Sequence, residues 1–237
     1  MSPFAYARGV SDAVEVLELR QYTVRSGMRD RLPGLFREHF IGAHEAVGAR
    51  ILGTFFDLDD PDRFVWLRGY RDLATRGPAL RAFYGGDVWK AHRDAANAAM
   101  VDSDNALLLR ALPGGAFGQG RLRDGIWRVS MWSLGSVDGA AFAGWFDERI
   151  VPLVAACGAT VFARYLTDCE SNDFPALPVR DDTALVWFSR FPEARAEREF
   201  SAALAAASGW RDDAPPELLP ALMRKPEVLR LVPASEV

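Results

Sequence analysis

Lysine, histidine and cysteine are scarce in this chain of 237 residues. Lys90 and Lys225 stand against 26 arginines. Neither lies in a glycine-rich loop ending in Lys-Ser/Thr, so a phosphate-cradling P-loop is excluded, and a Schiff-base lysine would have to be one of two residues. Cys157 and Cys169 cannot make a CxxC redox or zinc pair and are expected as free thiols. Asp168 and Glu170 flank Cys169 and disfavour its thiolate, which argues against a nucleophile there. His39 and His44 are five apart and diverge by ~140° on a helix, and no HExxH is present, so no metal site is expected. No apolar run approaches the ~18–20 residues of a membrane span, and the first residues lack a signal-peptide hydrophobic segment. A cytoplasmic protein without a membrane partner is expected. The net charge of −4 offers no basic footprint for nucleic acid.

Two patterns fail on context. The glycines of PGGAFGQG (113–120) do not follow a strand and open a helix, so they read as a linker and not as a dinucleotide site. DLDDPD (57–62) resembles a cation loop, but Pro61 and the flanking apolar runs make it a hairpin turn. No cofactor is expected.

What the chain does have is a repeat. At an offset of 110, LELRQYTV (17–24) falls on WRVSMWSL (127–134), and FREHFIGAHEAVGARILGTFF (36–56) falls on FDERIVPLVAACGATVFARYL (146–166). Downstream the offset becomes 121: Trp66 meets Trp187, Tyr70 meets Phe191, and Trp89 meets Trp210. The added residues lie in CESNDFPALPVRDD (169–182), where the second copy replaces the short acidic hairpin. LLLRAL (107–112) aligns with EVLRLV (227–232). The organisation is therefore a tail (1–13), a first unit (14–112), a linker (113–123) and a second, diverged unit (124–237).

Each unit reads strand, helix, strand, strand, helix, strand. Helical spacing runs from about residue 27 to 47, and Gly48 and Gly158 are expected as C-caps. Asp72 is placed to N-cap the second helix. A βαββαβ order is the ferredoxin-like split motif, an α+β unit with one antiparallel sheet. One unit alone would leave a bare apolar sheet face. Two units can cover each other, which predicts an intramolecular α/β barrel of the dimeric kind.

Period-two alternation sets Leu17, Leu19 and Gln21 on one face of the first strand, and Glu18, Arg20 and Tyr22 on the other. Trp66, Arg68 and Tyr70 share a face of the third strand. The leucine set is expected to meet the helices, and the mixed set to line the sheet-to-sheet interior. In the second unit the equivalent positions are Arg128, Ser130 and Trp132, then Trp187, Ser189 and Phe191. Charges buried there either form an ion-pair cluster fixing the halves or hold a substrate carboxylate or phenolate. His39, mid-helix among apolar neighbours, is either a satisfied core histidine or a general acid–base. His44 is expected to be exposed. Trp89 and His92 lie in a third helical stretch, VWKAHRDAANAAM.

These segments resemble a known family. LELRQYTVRSGMRDRL, FREHFIGAHEAVGARILGTF, VWLRGYRDLATR and VWKAH are similar to the NIPSNAP domain, which opens ELRxY with a glycine five residues on and has a Trp/Tyr strand running into a helix. Glu18, Leu19, Arg20, Tyr22, Gly27, Gly48, Tyr70, Leu73, Arg76 and Trp89 match. Where that family often has a histidine in the third strand, this chain has Trp66 and, in the second copy, Trp187. The resemblance implies the dimeric α/β-barrel superfamily, whose members include cofactor-free monooxygenases, muconolactone-type isomerases, aldoxime dehydratases and haem-binding enzymes.

The leading functional expectation is an enzyme of secondary metabolism that binds an aromatic or polycyclic small molecule and does cofactor-independent proton-transfer chemistry. His39, Tyr22 and Tyr70 are its candidate catalytic residues. Arg20, Arg68 and Glu18 would hold a polar group, with Trp66, Trp132, Trp187, Trp89 and His92 against the ring. The alternatives are a non-catalytic binder of hydrophobic ligands or proteins, and a haem-binding barrel. A homodimer is a further possibility.

Overall fold

The computed structural model describes residues 13–118, 120–207, 211 and 214–234. Eight strands make up the barrel: β1 (Val16–Val24), β2 (Arg50–Asp57), β3 (Arg63–Tyr70), β4 (Ala106–Ala111), β5 (Ile126–Ser133), β6 (Ala163–Thr167), β7 (Ala184–Phe191) and β8 (Glu227–Pro233). They run antiparallel in the order β3-β2-β8-β5-β7-β6-β4-β1, and β1 pairs back with β3 to close the ring. Each unit keeps the ferredoxin-like order, β4-β1-β3-β2 in the first and β8-β5-β7-β6 in the second. The seams are β2 with β8 and β4 with β6. Closure leaves neither unit a free sheet edge, which removes the sites at which strands add to other chains.

The helices are α1 (Arg31–Leu35), α2 (Ile41–Ala46), α3 (Leu73–Gly85), α4 (Asp87–Ala99), α5 (Gly139–Trp145), α6 (Val151–Ala156), α7 (Ala194–Ala206) and α8 (Leu219–Leu222). One π-helical turn, Phe36–Phe40, joins α1 to α2, and another, Phe146–Ile150, joins α5 to α6. The two turns are 110 residues apart, as the repeat requires. Helices α3 and α7 have equal length at the offset of 121. Gly48 and Gly158 both take φ of +91°, the left-handed conformation that ends a helix at lowest cost without a Cβ. Asp72 caps α3 by accepting the Thr75 N–H at 2.9 Å. Trp210, the partner of Trp89 in the repeat, and most of the tail lie outside the described residues.

The face assignment made from alternation is inverted. Leu17, Leu19, Val65, Leu67, Leu107 and Leu109 point into the barrel, where they meet Trp127, Val129, Met131, Tyr165, Val186 and Phe188 of the second unit. Gln21 lies on this inner face too, its amide nitrogen 4.0 Å from the Met131 sulfur. Glu18, Arg20, Tyr22, Trp66, Arg68 and Tyr70 point outward, beneath the helices. An eight-stranded barrel has room inside for side chains alone, so its lumen takes the apolar set and the mixed set goes to the other face.

One end of the lumen is capped by a short pairing of Ala13–Val14 with Phe117–Gly118. The Tyr165 hydroxyl donates to the Val14 carbonyl at 3.0 Å and accepts the Phe117 N–H at 2.9 Å. Gly69 leaves room for the cap, since a Cβ there would stand 2.5 Å from Val14 Cγ1. Tyr165→Phe should leave both backbone groups unpaired in an apolar site, lowering stability by about 1–3 kcal/mol in urea melts.

Candidate functional site

Polar chemistry collects between the barrel wall and the helices of each unit. In the first unit Glu18 is fully buried and surrounded by arginines. Its Oε2 accepts from Arg68 Nη2 at 2.5 Å, Arg68 Nε at 3.1 Å and Arg20 Nη1 at 3.3 Å. Its Oε1 accepts from Arg76 Nε, on α3, at 2.7 Å. Burial by itself would push this carboxyl up, but the charges of Arg68, Arg20 and Arg76 outweigh it and hold it at about 2. Arg20 also donates to the Tyr22 hydroxyl at 3.0 Å and to the Ser103 carbonyl at 3.2 Å. Burial raises the Tyr22 phenol, and raises that of Tyr70 well above its usual range.

Arg76 extends the cluster into the second unit. Its Nη1 donates to Asp173 at 2.5 Å and Asn172 at 3.0 Å, both in the long loop between β6 and β7. The same loop brings Phe174 parallel to Tyr84, with centroids 5.9 Å apart. Of the two readings open for the buried charges, these distances match an ion-pair cluster that joins the halves.

His44 is 2% exposed, contrary to expectation. The π-helical turn adds a residue per turn, so Phe36, Phe40 and His44 descend one face four apart. His44 Nδ1 sits 2.8 Å from the Phe40 carbonyl and Nε2 3.1 Å from Arg68 Nη1. Since Arg68 has only protons to give, Nε2 accepts and Nδ1 carries the hydrogen. The ring stacks on Phe83 with centroids 3.6 Å apart. Burial, then the Arg68 charge, lowers its pKa to about 3. His44, Tyr22, Trp66, Tyr84 and Trp89 line a cavity of about 30 Å³, room for a water molecule but not for an aromatic substrate. His39 is a third exposed and lies face to face with His92 of α4 at 3.7 Å, away from the Glu18 cluster. Tyr70 is buried, and its hydroxyl has no partner among the described residues.

The second unit uses the same positions differently. Arg128 pairs across the strands with Ser189, and Ser130 with Trp187, as Glu18 does with Arg68 and Arg20 with Trp66. At the two offsets Glu18 corresponds to Arg128 and Arg76 to Glu197. The strand-to-helix ion pair is kept with its charges exchanged: Arg128 Nη1 donates to Glu197 Oε1 at 2.7 Å. Arg230 Nε meets Glu197 Oε2 at 2.8 Å, and its Nη1 reaches Asp59 of the first unit's hairpin at 2.9 Å.

Side chains are smaller here. Ser130 stands for Arg20, Ser201 for Leu80, Leu204 for Phe83 and Ala205 for Tyr84. A cleft of about 270 Å³ results, lined by Arg128, Ser130, Trp132, Trp187, Ser201 and Lys225 among others. Of the ring-binding residues expected from sequence, Trp132 and Trp187 are therefore together in a cleft, whereas Trp66 and Trp89 are packed in the other unit. Arg128, Ser201 and Lys225 were not among the candidates; Arg128 and Ser130 were legible as equivalents of Glu18 and Arg20. Among the described residues no group of three or more His, Cys, Asp or Glu is placed to hold a metal ion, and no helix is long and apolar enough to cross a membrane.

Solved structures share this architecture over nearly the whole chain. A proposed monooxygenase from Fusobacterium nucleatum is 12% identical, covers 94% of this chain and 93% of its own, and has a TM-score of 0.56. A proposed monooxygenase from Lactobacillus acidophilus gives 11% identity, 92% and 93% coverage and 0.51. An anthrone oxidase-like protein gives 12%, 92% and 90%, and 0.52. The chain therefore has a mixed α+β fold whose antiparallel sheet closes into a barrel of the dimeric α/β kind, as these proteins do. Half-length structures similar to part of it include a NIPSNAP-like domain protein from Burkholderia xenovorans, at 20% identity over 46% of this chain and 94% of that one, with a TM-score of 0.40. No family model matches the sequence, and no curated protein does.

Two outcomes follow for the first unit. Glu18→Gln should cost about 3–5 kcal/mol in chemical denaturation, because three buried guanidiniums lose their carboxylate. His44 gains a proton near 6.5 when unfolded and near 3 when folded, so the unfolded chain binds more protons between these values. Stability should therefore fall as pH drops below 6.5, with His44 contributing a loss of about 2 kcal/mol by pH 5. Glu18 adds to the loss below 4.5. His44→Gln, which keeps an acceptor for Arg68, should flatten the profile between pH 7 and 5 in urea melts.

Proposed function

We propose that the second unit binds a small aromatic or polycyclic metabolite in its cleft. The chain then acts on it as an enzyme by cofactor-independent proton-transfer chemistry: isomerisation, cyclisation, dehydration or oxygenation of an activated ring. One observation carries the reading. At the position where the first unit is filled by Arg20, Phe83 and Tyr84, the second has a cleft of about 270 Å³ with two indoles in its wall. Trp132 and Trp187 suit a planar ring, and Ser130 and Arg128 supply donors for an oxygen on which charge develops. The fold is shared with proteins described as monooxygenases and as anthrone oxidase-like, and it supports an enzyme by analogy alone. Tyr22, Tyr70 and His39, the catalytic candidates from sequence, belong to the first unit; a direct role in this cleft falls instead to Arg128 and Ser130, with Ser201 holding Glu197 and Arg128 in place.

The test is a panel of one- to three-ring compounds read by thermal shift and tryptophan fluorescence, followed by mass spectrometry of the binders. Binding should raise Tm, quench fluorescence and yield a product. Ala205→Tyr, which restores the first unit's residue, should fill the cleft and abolish the shift while leaving the fold intact by circular dichroism. Equal stabilisation of that variant would place the ligand elsewhere. A ligand recovered unchanged after long incubation would mark a binding protein and not an enzyme.

A further inference from the structure

Resting on the cleft as the ligand site, we infer that its ligand is an aromatic acid: a planar ring against Trp132 and Trp187, with a carboxylate directed to Arg128 and Lys225. Fourteen described residues line the cleft, and they include three cations, Arg128, Arg211 and Lys225, and no carboxylate. This is the reverse of the chain as a whole, which is net negative. The nearest buried acid, Glu197, is occupied by Arg128, Arg230 and Ser201, and Arg230 has Asp59 besides.

Arg128 keeps an unused donor. Its Nη1 serves Glu197 and Ser201, whereas its Nε–H is buried and has no acceptor among the described residues. The Arg128 side chain nonetheless keeps 12% of its surface open and its Nη2 makes no hydrogen bond among the described residues, so a carboxylate in the cleft can accept from that nitrogen. Lys225 makes no hydrogen bond or ion pair among the described residues, which leaves its ammonium available to the same anion. Ile150, Leu153, Leu204 and Val228 complete the wall. That apolar surface would be wasted on a bare anion such as phosphate, so the charge belongs to a ligand with a ring.

The probes are 1-naphthoate, its uncharged amide 1-naphthamide, and inorganic phosphate, titrated against the full chain by tryptophan fluorescence and calorimetry. Naphthoate should bind about tenfold more tightly than naphthamide and weaken as salt is added. Lys225→Gln should weaken naphthoate about three- to fivefold and leave naphthamide unchanged. Ala205→Tyr should remove both. Equal affinity for acid and amide would overturn the acid while leaving the cleft as a ligand site. Phosphate binding as tightly as naphthoate would overturn the aromatic part. Binding of neither ring compound at millimolar concentration would overturn this assignment and the cleft reading together.

Discussion

Closing eight strands into a barrel leaves an interior that side chains must fill and water cannot enter. Everything else in this structure is arranged around that requirement. The strands alternate, so giving the lumen its leucines, valines and aromatics sends every second residue to the outer face. The helices then cover that outer face and desolvate what stands on it. Glu18, Arg20 and Arg68 become buried because the other side of their own strand is needed for the lumen. Burial in turn demands pairing, and the pairing recruits Arg76 from a helix and Asp173 from the other unit.

How far the sequence discloses this can be judged residue by residue. The offsets of 110 and 121 were legible, and with them the strand order, the cap at Asp72 and the paired glycines at 48 and 158. The direction of the faces was not, because alternation says which residues share a side and is silent on which side is inside. Leucine-rich and mixed faces are both compatible with cover, one by helices and one by a second sheet. Ring closure decides between them, and it is a property of all eight strands together. His44 escaped for a local reason. Ordinary helical spacing turns it away from the core, and the extra residue of a π-helical turn brings it back beneath Arg68 and onto Phe83. A run of aromatic residues at spacing four, continuing through position 44, was the available signal.

The candidate site was legible only in halves. Trp132 and Trp187 were singled out for their rings, and Arg128 and Ser130 as partners of Glu18 and Arg20. Nothing in the sequence says that one unit is filled and the other hollow, since that depends on the summed volumes of four facing side chains. Serine for arginine, alanine for tyrosine and leucine for phenylalanine are modest changes singly. Placed around one point between wall and helix, they separate a solid cluster from a cleft.

The covalent link between the two units has a consequence of its own. When a barrel of this kind is assembled from two identical subunits, every substitution occurs twice, once on each side of the symmetry axis. A lock cannot then be tightened on one side while a binding place is hollowed out on the other. A single chain lifts that restriction. Here one strand-to-helix ion pair runs from Glu18 to Arg76, and its counterpart runs from Arg128 to Glu197. Such exchanged polarity is open only to halves that can vary separately, so under the proposed function stability and recognition become separate tasks for the two.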